Sequence, residues 1–169
     1  MPGSPGHLTR RFFDVVLARP LSPAERADVG AWLTQRESDL FFAQSNPDQR
    51  HAYSAAASVL SGGTVDRSLV RAAMLHDVGK RHARLGVLGR VLASLLILAR
   101  APLSARFAAY RDHGPVGAAE MQALGSEALV VDFARHHHGD RPTSIDPEAW
   151  QVLWQADHLP KPGTVGRPE

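Results

Sequence analysis

The groups in this chain with most chemistry to offer are nine histidines and a few acids placed where folding would bury them. His76 and Asp77 are adjacent in Ala72-Ala73-Met74-Leu75-His76-Asp77-Val78-Gly79-Lys80. That segment is apolar nearly all round, which predicts a buried helix. At helical spacing His76 continues the face of Leu69, Ala72 and Ala73, and Asp77 continues that of Val70, Ala73 and Met74. Asp157 follows Trp150, Leu153 and Trp154 on the inward stripe of the last helix. A carboxylate aimed into a core is costly unless it is paired or metal-bound. Two such carboxylates call for a shared cation, and a metal ion supplies it. With no Cys in the chain, disulfides and thiolate ligands are excluded. His and carboxylate ligands remain.

The other histidines fall at helix ends or on helical faces. His51 follows the helix start at Pro47 and sits above Ala55 and Ser58, small residues that let another helix approach. His113 stands just before Gly114-Pro115, and His136, His137 and His138 close a helix that Gly139 stops. A helical bundle can gather such residues from distant parts of a chain. Each alone has an ordinary reading, because a single His on an apolar face is more often a hydrogen-bonded core residue than a ligand. His7, His82 and His158 belong to that surface or cap class, with His158 also beside Asp157. The His triplet and Lys80-Arg81 also suit solvated helix ends, where cations are favoured. The ordered set His, His-Asp, His, His-His, Asp points instead to a metal centre.

The elements that must position these groups are all helical. Ser22-Pro23-Ala24-Glu25 is a capping box opening a helix that carries Trp32 and Leu33, and Asn46-Pro47 opens one that Ser61-Gly62-Gly63 stops. Thr64 or Asp66 starts a third, through Leu75 and ending near Gly79. Further helices are expected over Val87 to Ala99, around Phe107 and Tyr110, from Val116 to Leu124, from Ser126 to Gly139, and after Asp146-Pro147. No stretch alternates with period two, so strands are not expected. The 169 residues suit one domain with its own core. A helical N-terminal extension over 1–45, a main domain over 46–160 and a flexible Pro- and Gly-rich tail over 161–169 are expected.

The formal charge of +2 is no nucleic-acid footprint, and no helix-turn-helix or aromatic-basic stacking pattern appears, so nucleic acid is not an expected partner. The opening MPGSPGHLTRRFF lacks the basic-then-apolar pattern of a secretory leader, which leads to the expectation of a cytoplasmic protein. Arg90 and Arg100 interrupt the apolar segment Leu85 to Leu103, leaving an uncharged run from Val91 to Ala99. That run is far short of the ~20 residues a membrane span needs. A buried or partner-facing helix is expected there in preference to a membrane-surface one, and a homodimer is an admissible assembly.

Gln49-Arg50-His51, Leu75-His76-Asp77-Val78-Gly79-Lys80, His113-x-x-x-Gly117, His137-His138 and Ala156-Asp157 together resemble the HD superfamily of metal-dependent phosphohydrolases. The resemblance runs from about residue 47 to 158 and implies a compact all-α HD-domain bundle. The layout is also similar to that of short actinobacterial HD proteins with a helical preface. The histidines between the His-Asp pair and the last Asp resemble the two-metal subgroup that includes the HD-GYP phosphodiesterases. Here His113 is followed by Gly114-Pro115 rather than directly by Pro. The Gly-Tyr-Pro element is absent, so the resemblance does not reach a cyclic-dinucleotide substrate. Family roles carried onto matching positions imply one ion held by His51, His76, Asp77 and Asp157. Asp77 would bridge to a second ion held by His113, His137 and His138, with His136-His137 as the alternative register. Imidazole and carboxylate ligands suit Fe, Mn, Ni, Co or Zn. Asp77 and Lys80 are the implied catalytic pair, and Arg111, Arg135 and Arg141 are candidate contacts to substrate phosphate. The implied activity is hydrolysis of a nucleotide or related small phosphoester. The alternative is a metal-containing sensory module that binds a nucleotide without turning it over.

Overall fold

The computed structural model describes residues 19–63, 66–158 and 163–168, and every regular element among them is helical. The first is α1 (Pro23–Trp32), entered through the expected Ser22–Glu25 capping box. Next comes α2 (Gln35–Phe42), which opens on a second capping box, Thr34 with Glu37. They lead into α3 (Asn46–Ser61) and α4 (Arg67–Leu75), the latter capped by the Asp66 side chain on the backbone N–H groups of Ser68 and Leu69. A 3-10 helix (Val78–Ala83) follows, then α5 (Val87–Leu98), α6 (Ala105–Arg111), α7 (His113–Ala123), α8 (Ala128–His136) and α9 (Pro147–His158).

The core forms where α4 packs against α3 and α8, with α9 laid over α3 and α4 and α7 against α8. Tyr53, Met74, Leu75, Phe133 and Leu153 are fully buried there, joined by Val29, Trp32 and Phe41 from the two N-terminal helices. Those helices share the core rather than merely resting on it. A buried ion network fixes α2: the Arg71 guanidinium donates to Glu37 Oε1 at 2.7 Å and also to Glu127, while the Ser126 hydroxyl donates to Glu37 at 2.7 Å. Burial opposes the charge on Glu37, but the bonds from Arg71, Ser126 and Thr34 hold its carboxyl below the usual range.

Besides α2, which no expected helix covers, the chain departs from the sequence expectations at several points. The third expected helix, which is α4, does not run on as α-helix to Gly79. It stops at Leu75 and tightens into the 3-10 helix, with the Lys80 N–H bonded to the Asp77 carbonyl at 2.9 Å. The helix expected from Val116 starts earlier, so His113 is its first residue. The tail, expected to fray, instead packs over residues 163–168: the Val165 N–H donates to the Tyr53 hydroxyl at 3.0 Å and the Trp32 indole to the Gly166 carbonyl at 2.9 Å. Finally, α5 takes the second of its two expected readings, for it is not buried and turns its apolar face outward. Only Ala93 is covered, while Leu88 and Leu98 are 78% and 82% exposed. No helix among the described residues is long and apolar enough to cross a membrane. His7 and the Thr64 start signal lie outside the described residues.

Candidate metal centre

Five helices deliver the expected ligands to one place, and three of them do so at their C-terminal ends. His76 caps α4, His137 caps α8, and Asp157 is the penultimate residue of α9, while His51 comes from the second turn of α3. His113 opens α7. The close approach of α7 depends on missing side chains. A Cβ on Gly79 would lie 2.0 Å from the His113 carbonyl oxygen, and one on Gly117 would lie 2.9 Å from the Gly79 nitrogen. These glycines let backbone meet backbone and so set where His113 stands.

Ligand-type atoms from His51, His76 and Asp77 lie within 4.8 Å of one another, and so do those of Asp77, His113, His137 and His138. Asp77 is common to both groups. Asp157 adjoins the first, with Oδ1 at 2.9 Å from His51 Nε2 and 3.3 Å from His76 Nε2. His136 enters neither group, which selects His137-His138 from the two registers.

The ring orientations follow from the helices themselves. His76 Nδ1 donates to the Ala73 carbonyl at 2.9 Å, His113 Nδ1 to the Tyr110 carbonyl at 2.6 Å, and His137 Nδ1 to the Ala134 carbonyl at 2.8 Å. Each acceptor is three residues back. With the proton held at Nδ1, the rings of His113 and His137 each present a bare Nε2 lone pair to the cluster, and so does His76 once its second proton has left. Those atoms face carboxylate oxygens: Asp77 Oδ2 lies 3.3 Å from His76, and Asp77 Oδ1 lies 3.1 Å from His113 and 3.5 Å from His137. Buried Nε2 of His76 and of His137 has no hydrogen-bond partner. Lone pairs facing lone pairs repel, and orphaned buried nitrogens are rare. A cation among them removes both difficulties, so the residues present fit a metal ion.

The electrostatics agree. Burial opposes ionisation of Asp77 and of Asp157, yet facing His76, with Lys80 beside Asp77 and His51 beside Asp157, holds both carboxyls well below the ordinary value. Burial likewise opposes charge on His76, but Asp77 and Asp157 together raise it to about 10. His137 is pushed down by burial, and His138 by burial and the neighbouring imidazoles. Without metal, then, one proton sits on His76 among the carboxylates, and metal must displace it. Ordinary histidines have lost their protons above about pH 7.5. From there up to about pH 10 metal affinity is expected to tighten about tenfold per pH unit and then level off. A chelator-competition titration over that window checks this; a flat profile would show that His76 holds no competing proton.

Lys80 donates to Asp77 Oδ2 at 2.5 Å with a side chain 15% exposed, so it stands between the buried ligands and solvent. The three candidate arginines are engaged with other groups. Arg111 pairs with exposed Asp112, Arg135 donates to Gln122, and Arg141 to the carbonyl of Ile145. His82 pairs with Glu120 and lies outside the cluster, whereas His158 stacks on Trp154 and approaches Asp157 at 3.5 Å. Sequence reasoning missed Tyr110, whose carbonyl orients His113 and whose ring lies 5.9 Å from it. The signal was its place three residues ahead of a histidine. No family model, curated protein or solved structure matches the chain.

Proposed function

We propose that this chain is a metal-dependent phosphohydrolase of the HD type acting on a nucleotide or related small phosphoester. The observation that carries the reading is the set of buried imidazoles, each held by a backbone carbonyl at Nδ1, turning Nε2 atoms onto two carboxylates in the ligand order that resembles that superfamily. His51, His76, Asp77 and Asp157 would hold one divalent transition ion, and Asp77, His113, His137 and His138 a second. Bound there, such ions supply Lewis-acid activation of water and of the phosphoryl oxygens. The chain's own residues do the rest. Asp77 joins the two ligand groups, and the backbone carbonyls of Ala73, Tyr110 and Ala134 keep the rings in the metal-binding tautomer. Lys80, already held at Asp77, places its ammonium where a phosphoryl oxygen approaches from solvent.

Protein purified from cells supplemented with Mn and Fe is expected to carry one or two equivalents of transition metal by elemental analysis. It is also expected to hydrolyse at least one class among phosphomonoesters, nucleoside monophosphates, deoxynucleoside triphosphates and cyclic dinucleotides. Metal-free protein under those conditions would defeat the reading. Tight binding of one of these compounds without turnover would identify a sensory module instead.

A further inference from the structure

Five of the six large apolar side chains that the described residues leave exposed lie on one helix. Leu88, Val91, Leu92, Leu95 and Leu98 form a stripe along α5 at helical spacing, between 42% and 82% exposed. An apolar patch of this kind marks an interaction surface. Its surroundings carry one sign of charge. From Val78 to Arg111 the chain holds Lys80, Arg81, Arg84, Arg90, Arg100, Arg106 and Arg111 and no Asp or Glu. Four of these cations are matched by acids from outside the segment: Lys80 by Asp77, Arg81 by Glu120, Arg90 by Asp48 and Arg111 by Asp112.

Arg84, Arg100 and Arg106 have no acid partner among the described residues and are exposed. Arg84 and Arg100 flank α5 in the left-handed backbone region, at φ 49° and 51°, where glycine would sit without strain. Arg106 spends hydrogen bonds only on the carbonyls of Ala83 and Arg84. It joins Arg84, Arg81, His82 and Ala43 around an open cleft of about 830 Å³. Leucines bracketed by unpaired arginines complement a surface that is apolar within and anionic at its rim.

We propose that α5 seats the protein on an anionic lipid bilayer, its leucine stripe entering the acyl boundary while Arg84, Arg100 and Arg106 meet headgroup phosphates. Charge selects this occupant over a second copy. A two-fold axis across a helix about 18 Å long would set Arg84 against Arg100 when the helices run antiparallel, or each against itself when parallel. Like charges would face each other either way. The inference is independent of the metal centre and its proposed chemistry.

Vesicle sedimentation of the full chain tests it. Binding is expected to equimolar phosphatidylcholine and phosphatidylglycerol, with little to phosphatidylcholine alone. The double variant Leu92→Glu, Leu95→Glu places charge on residues already exposed, so it should fold, and it is expected to reduce binding about a hundredfold or more, roughly the worth of two buried leucines. Arg84→Gly removes a charge at a position that favours glycine, and is expected to weaken binding about fivefold, the effect of one cation at such a surface. Circular dichroism confirms that both variants are folded. Equal binding to both vesicle types, no binding, or binding unchanged in the leucine variant would overturn the proposal. So would a concentration-dependent dimer in light scattering that the leucine variant dissolves, which would assign α5 to a second copy.

Discussion

Under the proposed chemistry, Asp77→Ala is expected to leave the purified protein without transition metal and without phosphoester hydrolysis. Asp77 is the one residue shared by the two ligand groups, so its loss opens both at once. Its two oxygens face His76, His113 and His137 within 3.5 Å, and it carries the Lys80 ammonium at 2.5 Å. Loss of an outer-shell partner already costs ~10–100-fold in metal affinity or activity. A bridging carboxylate should exceed that range. Removing it also strands Lys80 beside a cluster of imidazoles, so Asp77→Asn, which keeps the shape, is the variant to compare. Elemental analysis and turnover of a substrate found for the wild type are the measurements. Full metal occupancy with wild-type turnover in Asp77→Asn would remove Asp77 from the centre of the site.

Gly79→Ala is expected to cripple the same site without touching a ligand. Gly79 is not in the left-handed region, so an added methyl creates no backbone strain of its own. What it creates is collision: the new Cβ would lie 2.0 Å from the His113 carbonyl oxygen and 2.8 Å from the Gly117 nitrogen, both backbone atoms. Neither can rotate away, so α7 must move and carry His113 with it. Overpacking of this kind costs about 1–3 kcal/mol. A displacement near 1 Å in a positioned catalytic group can cost on the order of 10²-fold in rate. Gly30→Ala is the control, because its Cβ meets nothing within 4 Å in the last turn of α1. There alanine is expected to stabilise by roughly 0.5–1 kcal/mol. Thermal denaturation with metal analysis separates the two variants. A Gly79→Ala protein as stable and as metal-rich as wild type would show that α7 is free to adjust.

Much of this was legible because the signals are local. Ser22-Pro23-Ala24-Glu25 and Asn46-Pro47 carry their own start instructions, and both helices begin there. The missed helix α2 has an equally local box at Thr34 and Glu37, but its Gln-Arg-Glu-Ser opening shows no apolar face. Glu37 is buried only because Arg71 arrives from α4, thirty-four residues later. The ligand order could be read from residue types alone. The register of the His triplet could not, since successive residues on a helix point about 100° apart and only assembly decides which pair faces inward. Gly79 read as a helix stop, whereas its use is to admit the backbone of α7. The apolar run in α5 suggested a buried or partner-facing helix, and nothing local could say that the bundle closes without it.

The arrival of ligands at helix C-termini has a consequence for the order of events. Helices α4, α8 and α9 all end at the cluster, and each such end carries roughly −0.5 of an elementary charge. The N-terminal end of α7 at His113 offsets one of them, and with Lys80 and a protonated His76 set against Asp77 and Asp157 the surplus that the helix ends leave is negative. A phosphoester nearing the ion-free centre is turned back by that field, while a divalent ion is drawn in and reverses it. Under the proposed chemistry, loading is sequential: the cation enters first, the phosphate second, and the product must leave before the cation can.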